Sequence, residues 1–361
     1  MKASAKNLLS IIKEPKQFII PIYQRTYSWQ FKQCALLLKD IQAASTSEQG
    51  HFIGSIVYFQ PDIHTIAEIN KYLVIDGQQR LTTITLLIAA LVKFIEKNPD
   101  CEVDTTAKKL KNYYLFNAEE DNDLYFKLLL TRRDKETLIN LLTNKPLPTK
   151  HSHRIIENHD YFYKQIDKNN INKIYKGLQK LIVVDVALER EKDNPQLIFE
   201  SLNSTGLNLS QADLIRNYIL MGQEATFQKH LYETYWYPME QSFGENITAL
   251  PWFMRDYLTM KLNSIPKIGE VYDTFKEYFN SHKDKLGTEN IVKSLYEYSQ
   301  YYVAIALQKE EDKTLKSIFK EITKLRMDTS YPFLLAVYGD YKNELITFDE
   351  FQEILNQTKN Y

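Results

Sequence analysis

Val74-Ile75-Asp76-Gly77-Gln78-Gln79-Arg80-Leu81-Thr82-Thr83 is the stretch on which the fold turns. The apolar run Tyr72 to Ile75 reads as a strand, and Leu81 to Ile95 (LTTITLLIAALVKFI) is apolar all round, as a buried helix is. The backbone N–H groups of Gln78 to Thr82 would open that helix unpaired and aimed outward, the usual way of holding phosphate. Gly77 permits close backbone approach and Arg80 offers a planar fork of donors. Asp76 can hold a cation or orient a water, and Gln78 and Gln79 both donate and accept. Strand, glycine turn and helix also recur where no ligand binds, with the Asp serving only the turn. Neither standard nucleotide loop, G-x-x-x-x-G-K-[ST] or G-x-G-x-x-G, occurs in the chain.

Working upstream, Asn7 to Lys13 has the spacing of a short helix, Gln17 to Ile22 of a strand, and Gln30 to Ala43 of a helix with Ser28 as its candidate cap. His51 to Gln60 and Ile69 to Ile75 read as strands of a hairpin, with Pro61-Asp62 and Asn70 supplying turn chemistry. Beyond Pro99 long helical segments follow: Asp104 to Tyr114, Arg133 to Thr143, Ser152 to Lys168 and Ile171 to Leu178. The strand-like Leu178 to Leu188 is expected to pair with Leu124 to Leu130, and after Asn194 almost everything reads as helix. The expected fold class is α+β: an α/β domain over residues 1–100, then a predominantly helical domain with a small strand pair over 101–361.

Composition narrows the function. A formal charge of −1 over 361 residues excludes a globally basic nucleic-acid binder while allowing a local basic groove. Cys34 and Cys101 lie far apart, which excludes a zinc ribbon or a disulfide scaffold. The N-terminus lacks the apolar core of a signal peptide, and no stretch approaches the roughly 18 uncharged apolar residues that cross a bilayer. A cytoplasmic protein without membrane contact is expected.

Residues 198–220 form a second constellation, read as helix, tight turn and helix. Gly206 suits a left-handed stop, and Ser210 with Asp213 has the spacing of a capping box, a structural role. Asn203, Ser204 and Thr205 fit either a turn or a polar surface offered to ligand. Arg216 and Asn217 follow Asp213 on one helix face, where they pair with it or point with it at an anion.

Four blocks now stand in order: Ile20 to Trp29 (IPIYQRTYSW), His51 to Ile56 (HFIGSI), Asp76 to Thr83 (DGQQRLTT), and Phe199 to Gly206 (FESLNSTG) through Asp213 to Asn217 (DLIRN). Together they resemble the signature blocks of the DUF262 family, the N-terminal half of GmrSD-type modification-dependent restriction systems and of phosphorothioate-sensing defence proteins. Arg326 to Tyr338 (RMDTSYPFLLAVY) looks like a fifth block. The resemblance implies a ParB/sulfiredoxin-like nucleotide-binding domain joined to a helical domain, with D-G-Q-Q-R serving NTP binding and hydrolysis. Carried over, it assigns Asp76, Gln79 and Arg80 to catalysis, with Mg²⁺ held through Asp76. With Gly77 and Gln78 carried over as well, Tyr23, Gln24, Arg25, Thr82, Asn203 and Arg216 are expected at the nucleotide, GTP or another NTP, Arg25 as a second cation converging on the same phosphates if the two strands are neighbours. Gln24-Arg25 resembles the Q-P-R box of ParB without its proline. Tyr27 and Trp29 read either as core or as rings that stack a base or sense modified DNA.

Members of that family usually continue into an HNH-type nuclease domain. No such motif appears here, and His151, His153 and His159 read as a solvated face. The chain ends inside a helical run, Phe348 to Lys359, so a C-terminal or separate nuclease is expected as partner. The expected function is an NTP-hydrolysing component of a restriction or anti-phage system. The rivals are a nucleotide-switched module without turnover and a sensor of DNA modification.

Overall fold

The computed structural model describes residues 1–60, 69–189, 193–203 and 209–360, and divides into two compact units, Met1–Leu202 and Asn203–Tyr361. The first unit begins β1 (Lys2–Asn7), α1 (Leu8–Lys13), β2 (Lys16–Ile19), α2 (Phe31–Ala44), β3 (His51–Phe59), β4 (Asn70–Asp76) and α3 (Gln78–Lys97). It continues α4 (Ala107–Leu110), β5 (Leu128–Leu129), α5 (Arg132–Leu142), α6 (His153–Gln165), α7 (Ile171–Leu178), β6 (Leu181–Leu188) and α8 (Pro195–Asn203). Its six strands form one mixed sheet in the order β1-β6-β3-β4-β2-β5.

The α+β class stands, but the sheet places the expected boundary at residue 100 inside the first unit. β6 lies between β1 and β3, antiparallel to the first and parallel to the second, so the sheet is completed only at Leu188. The expected pairing of Leu178 to Leu188 with Leu124 to Leu130 is also overturned: β5 pairs with β2, at the opposite edge from β1. β1 has no counterpart in the sequence reading, because it is exposed up to half-buried Asn7 and carries no apolar alternation. Lys6 ties it inward, its Nζ 2.6 Å from the buried Asp185 carboxylate, which Tyr58 also reaches at 2.7 Å. β3 and β4 are antiparallel as expected, while Pro61-Asp62 between them lies outside the described residues.

α3 is the central helix. Leu81, Ile84 and Leu86 to Val92 are buried on all sides of it, and α6 packs along it. It alone among the described residues is long and apolar enough to cross a membrane by length and composition, but Arg80, Lys93, Glu96 and Lys97 interrupt it and 72% of its apolar window is buried inside the protein. α2 and α7 approach closely at Gly177, where an added Cβ would lie 1.9 Å from the Ile41 carbonyl oxygen. Backbone cannot yield as a flexible side chain does, so Gly177→Ala should cost about 3 kcal/mol, measurable as a shift of the urea midpoint.

The second unit is helical throughout its described residues. It comprises α9 (Gln211–Leu220), α10 (Ala225–Leu231), α11 (Tyr237–Phe243), α12 (Leu250–Leu262), α13 (Val271–Leu286), α14 (Thr288–Ala306), α15 (Lys313–Lys324), α16 (Tyr331–Lys342) and α17 (Phe348–Asn360). Aromatic rings make much of its core, including the fully buried Trp236, Phe243, Phe253 and Tyr257.

Candidate functional site

β2 and β4 run parallel and pair directly, so the chain leaves both at the same end of the sheet. From β4 it enters α3 through Gly77, at φ +94°, where a Cβ would stand 2.8 Å from the Ser55 carbonyl oxygen. The close approach that requires glycine is therefore to β3. Leu81 N–H already bonds the Gly77 carbonyl at 3.0 Å, so the first-turn amides left for a ligand are those of Gln78 to Arg80, and no side chain caps them.

From β2 the chain passes Tyr23 to Trp29 across the same first turn, fastened by three glutamines. Gln24 Nε2 donates to the Ile75 carbonyl at 3.0 Å, and its Oε1 accepts from Gln78 Nε2 at 2.9 Å. Gln79 Oε1 accepts from the backbone N–H groups of Ser28 (2.9 Å) and Trp29 (3.2 Å), and its Nε2 donates to the Thr26 carbonyl at 3.3 Å. Gln24, Gln78 and Gln79 are all buried. Their amides hold the loop, and both ends of Gln79 are engaged in doing so.

Asp76 and Arg80 remain open to solvent, their side chains 36% and 31% exposed. Their spacing is set by a bulge in β3, where Ile53-Gly54 faces the single residue Val183 of β6. Gly54 adopts φ +107°, and a Cβ there would meet the Arg80 guanidinium carbon at 2.7 Å. Arg80 thus lies flat over Gly54, with Nη1 donating to the Ser55 carbonyl at 3.0 Å and standing 3.8 Å from Asp76 Oδ2. The Ser55 hydroxyl donates to Asp76 Oδ2 at 3.2 Å. A half-exposed carboxylate, the hydroxyl of half-buried Ser55, a half-exposed guanidinium and three uncapped amides share one corner.

Other expected site residues are placed differently. Thr82 is buried and its hydroxyl bonds back to the Gln78 carbonyl at 2.8 Å, so it offers nothing to a nucleotide. Tyr27 is core: its hydroxyl lies 2.8 Å from Thr83 Oγ1 and accepts from Asn158 Nδ2 at 2.9 Å, and burial pushes its phenol well above the ordinary range. No ring face is left on it for a base. Tyr23 is buried too, its phenol likewise raised by desolvation, while Arg25 and Trp29 are half-buried. The Trp29 Nε1 is enclosed without a hydrogen-bond partner among the described residues.

Arg216 belongs to the second unit, where it is 6% exposed and bridges Asp213 at 2.7 Å and Glu240 at 2.6 Å. Asp213 with Ser210 completes the expected capping box of α9. The Asn203 side chain, with Ser204, Thr205 and Gly206, lies outside the described residues. His159 is buried, with its imidazole held neutral by desolvation, which corrects its reading as part of a solvated face; His153 is exposed. Among the described residues no three His, Cys, Asp or Glu side chains are grouped to hold a metal.

Sequence reasoning missed Gly54 and Ser55 as site residues, although an isolated glycine inside a strand is the signal of a bulge or a close approach. It also missed Asp134, which accepts from Tyr27 N–H at 2.6 Å, and Asn158, which donates to the Trp29 carbonyl at 2.8 Å. Both come from distant helices, and only the fold brings them to the loop.

A family model described as GmrSD restriction endonuclease, N-terminal domain, matches residues 8–220. The match begins at α1 and ends with the last residue of α9, so it takes in the corner around Asp76 and the capped helix of the second unit. The expected fifth block, Arg326 to Tyr338, lies beyond it. No curated protein matches the chain. The chain belongs to the GmrSD N-terminal domain family, which makes it a component of a restriction system.

Proposed function

We propose that this family member binds a nucleoside triphosphate with Mg²⁺ at the turn from β4 into α3, hydrolyses it, and thereby controls a nuclease that acts on modified DNA. The observation that carries the reading is the fastening of the Arg25 loop to the first turn of α3 by Gln24, Gln78 and Gln79. That bonding puts the segment bearing one arginine on the turn bearing another and its uncapped amides, a combination that suits polyphosphate. The first unit is then read as a ParB/sulfiredoxin-like nucleotide-binding domain.

The donor set fits Mg²⁺, which takes one or two carboxylates and keeps water and phosphate oxygens for the rest of its shell. Asp76 and the Ser55 hydroxyl would hold it, and it would neutralise charge on the phosphates. Arg80 and the amides of Gln78 to Arg80 bind and orient the phosphate oxygens. Asp76 is the carboxylate left to position a water, since Gln79 is engaged at both ends and acts on the loop instead.

The test is phosphate release by purified protein with Mg²⁺ and each common NTP, alone and with modified DNA. At least one NTP should be turned over, and Asp76→Ala should reduce the rate at least about 100-fold with the circular dichroism unchanged, because it removes positioning and charge together. The engagement of Gln79 favours one rival, a switch that binds without turnover. Thermal stabilisation by NTP, about 2.7 kcal/mol at 100-fold excess over Kd, with no phosphate released would establish it. No NTP effect, with salt-sensitive DNA binding lost in Arg25→Ala, would replace both by a DNA sensor.

A further inference from the structure

The second unit contains a cleft of about 660 Å³ that the nucleotide reading does not use. It lies among α12, α14, α15 and the turn leading into α16. Trp252, Tyr302, Tyr331 and Phe333 give it aromatic walls, and its charged lining residues are Arg255, Asp256 and Asp328. With Asp256 ionised, two acids against one arginine make it net negative. Trp252 and Phe333 are 47% and 52% exposed, large apolar surfaces open at its mouth.

Asp256 is the telling residue. It is 7% exposed and lines the cleft, yet among the described residues it has neither a hydrogen bond nor an ion pair. Arg255, next to it in the chain, turns instead toward the ring of Trp252, 5.7 Å from its centroid. A buried carboxyl with nothing to accept from is costly, and structural carboxyls in cores are normally paired. Its oxygens are not enclosed by protein as the orphaned Trp29 Nε1 is, so they face the cleft itself.

We propose that this cleft binds a small organic cation bearing N–H donors, held by the Asp256 carboxylate between the aromatic walls. Amidinium, guanidinium and ammonium groups match the site on both counts, as bidentate or point donors to carboxylate and as cations over aromatic rings. The volume is that of an ordinary small-molecule site. The electrostatics agree: desolvation first, and then Asp328, raise the Asp256 carboxyl to about 7 against the opposing pull of Arg255. Tyr302 and Tyr331, which also face it, are themselves held protonated by burial. The folded state therefore retains a proton that the unfolded chain loses, and stability from this group falls as pH rises from about 4 to 7. A bound cation restores the carboxylate, so binding should release that proton and strengthen with pH. The site is independent of the nucleotide reading, and its success or failure leaves that reading untouched.

The experiment uses the full chain with benzamidine and agmatine as probes and benzyl alcohol as the neutral analogue, by calorimetric titration at pH 5.5 and pH 8. Benzamidine or agmatine should bind at pH 8 and lose about tenfold in affinity per pH unit below 7, with benzyl alcohol at least tenfold weaker at pH 8. Asp256→Asn should abolish this preference for the cation and, by removing a buried charge, should itself melt no lower than the parent at pH 8. Trp252→Ala should weaken cation binding severalfold through the lost ring. Absence of cation binding at millimolar concentration, equal binding of benzyl alcohol, or an unaltered titration in Asp256→Asn would overturn the proposal.

Discussion

Arg216→Ala should destabilise the helical unit by about 3–5 kcal/mol, the cost of leaving a buried charge cluster without its cation. Arg216 is fully engaged: one nitrogen contacts Asp213 at 2.7 Å and another Glu240 at 2.6 Å, and Glu240 also accepts from Trp236 Nε1 at 2.9 Å. The side chains of Arg216, Glu240 and Asp213 are 6%, 11% and 21% exposed, so water cannot replace the guanidinium without opening the packing around Trp236. Truncation strands two carboxylates and breaks the link between α9 and α11. Arg216→Lys keeps the charge but has no planar fork to meet both acids, and should lose about half as much. Calorimetry on the full chain measures both, and a loss below about 1 kcal/mol for Arg216→Ala would refute the structural assignment. The same variants separate this role from the nucleotide contact that the sequence suggested. In the folded Arg216→Lys protein nucleotide affinity should be unchanged, and a tenfold loss would restore that contact.

The contrast between Arg216 and Arg80 shows what spacing alone conveys. Both lie on helices a few residues after an acidic residue, and both fit an anion contact by pattern. Arg216 is neutralised by Glu240, which is 24 residues away in sequence and arrives through the packing of α11; no local pattern reports it. Arg80 stays half open because its strand-side neighbours are a bulged glycine and backbone oxygen. The order of elements in the first unit was legible because each has its own period: β3 and β4 before a glycine turn, then a uniformly apolar α3. The extent of the unit was not. β6 looks in sequence like a strand seeking a hairpin partner, and its insertion between β1 and β3 depends on pairing across more than 120 residues. β1 is an exposed edge strand whose place depends on backbone pairing and on Lys6 reaching Asp185, neither of which produces apolar alternation.

The glutamines were legible as polar groups beside a helix start, and illegible in their direction. An amide that donates and accepts serves a ligand or a loop equally well. Gln24, Gln78 and Gln79 turn to the loop because its backbone N–H and carbonyl groups need partners as it crosses the start of α3. What sequence reading assigned to direct chemistry is thereby divided. Buried Gln24, Gln78, Gln79 and Tyr27 build the frame, and exposed Asp76 and Arg80 face outward from it.

Gly54→Ala should cost about 2–4 kcal/mol and, under the proposed function, at least about tenfold in NTP affinity, with Arg80 as the reason. Two effects add at this position. At φ +107° any side chain is strained, worth about 1–3 kcal/mol, and the new Cβ would press on the guanidinium, 2.7 Å from its carbon and 2.9 Å from Nε. Arg80 would be pushed off Gly54 and lose its bond to the Ser55 carbonyl, a further ~1 kcal/mol. Only the second effect involves Arg80, so the two can be separated by a double-mutant cycle. In an Arg80→Ala background the alanine at 54 keeps its backbone strain and loses the clash, and its cost should drop by about 1 kcal/mol or more. Arg80→Ala alone should cost only the ~1 kcal/mol of its bond to the Ser55 carbonyl, since its ion pair with Asp76 is half-exposed and 3.8 Å long and adds little. Additive stabilities would show that the glycine serves only the bulge. For affinity, Gly54→Ala and Arg80→Ala should each weaken NTP binding and the double variant little further, because a displaced arginine and an absent one are equivalent to the ligand. If Gly54→Ala bound NTP normally while Arg80→Ala did not, the flat placement of Arg80 over Gly54 would be irrelevant to phosphate, and the bulge would be a structural device alone.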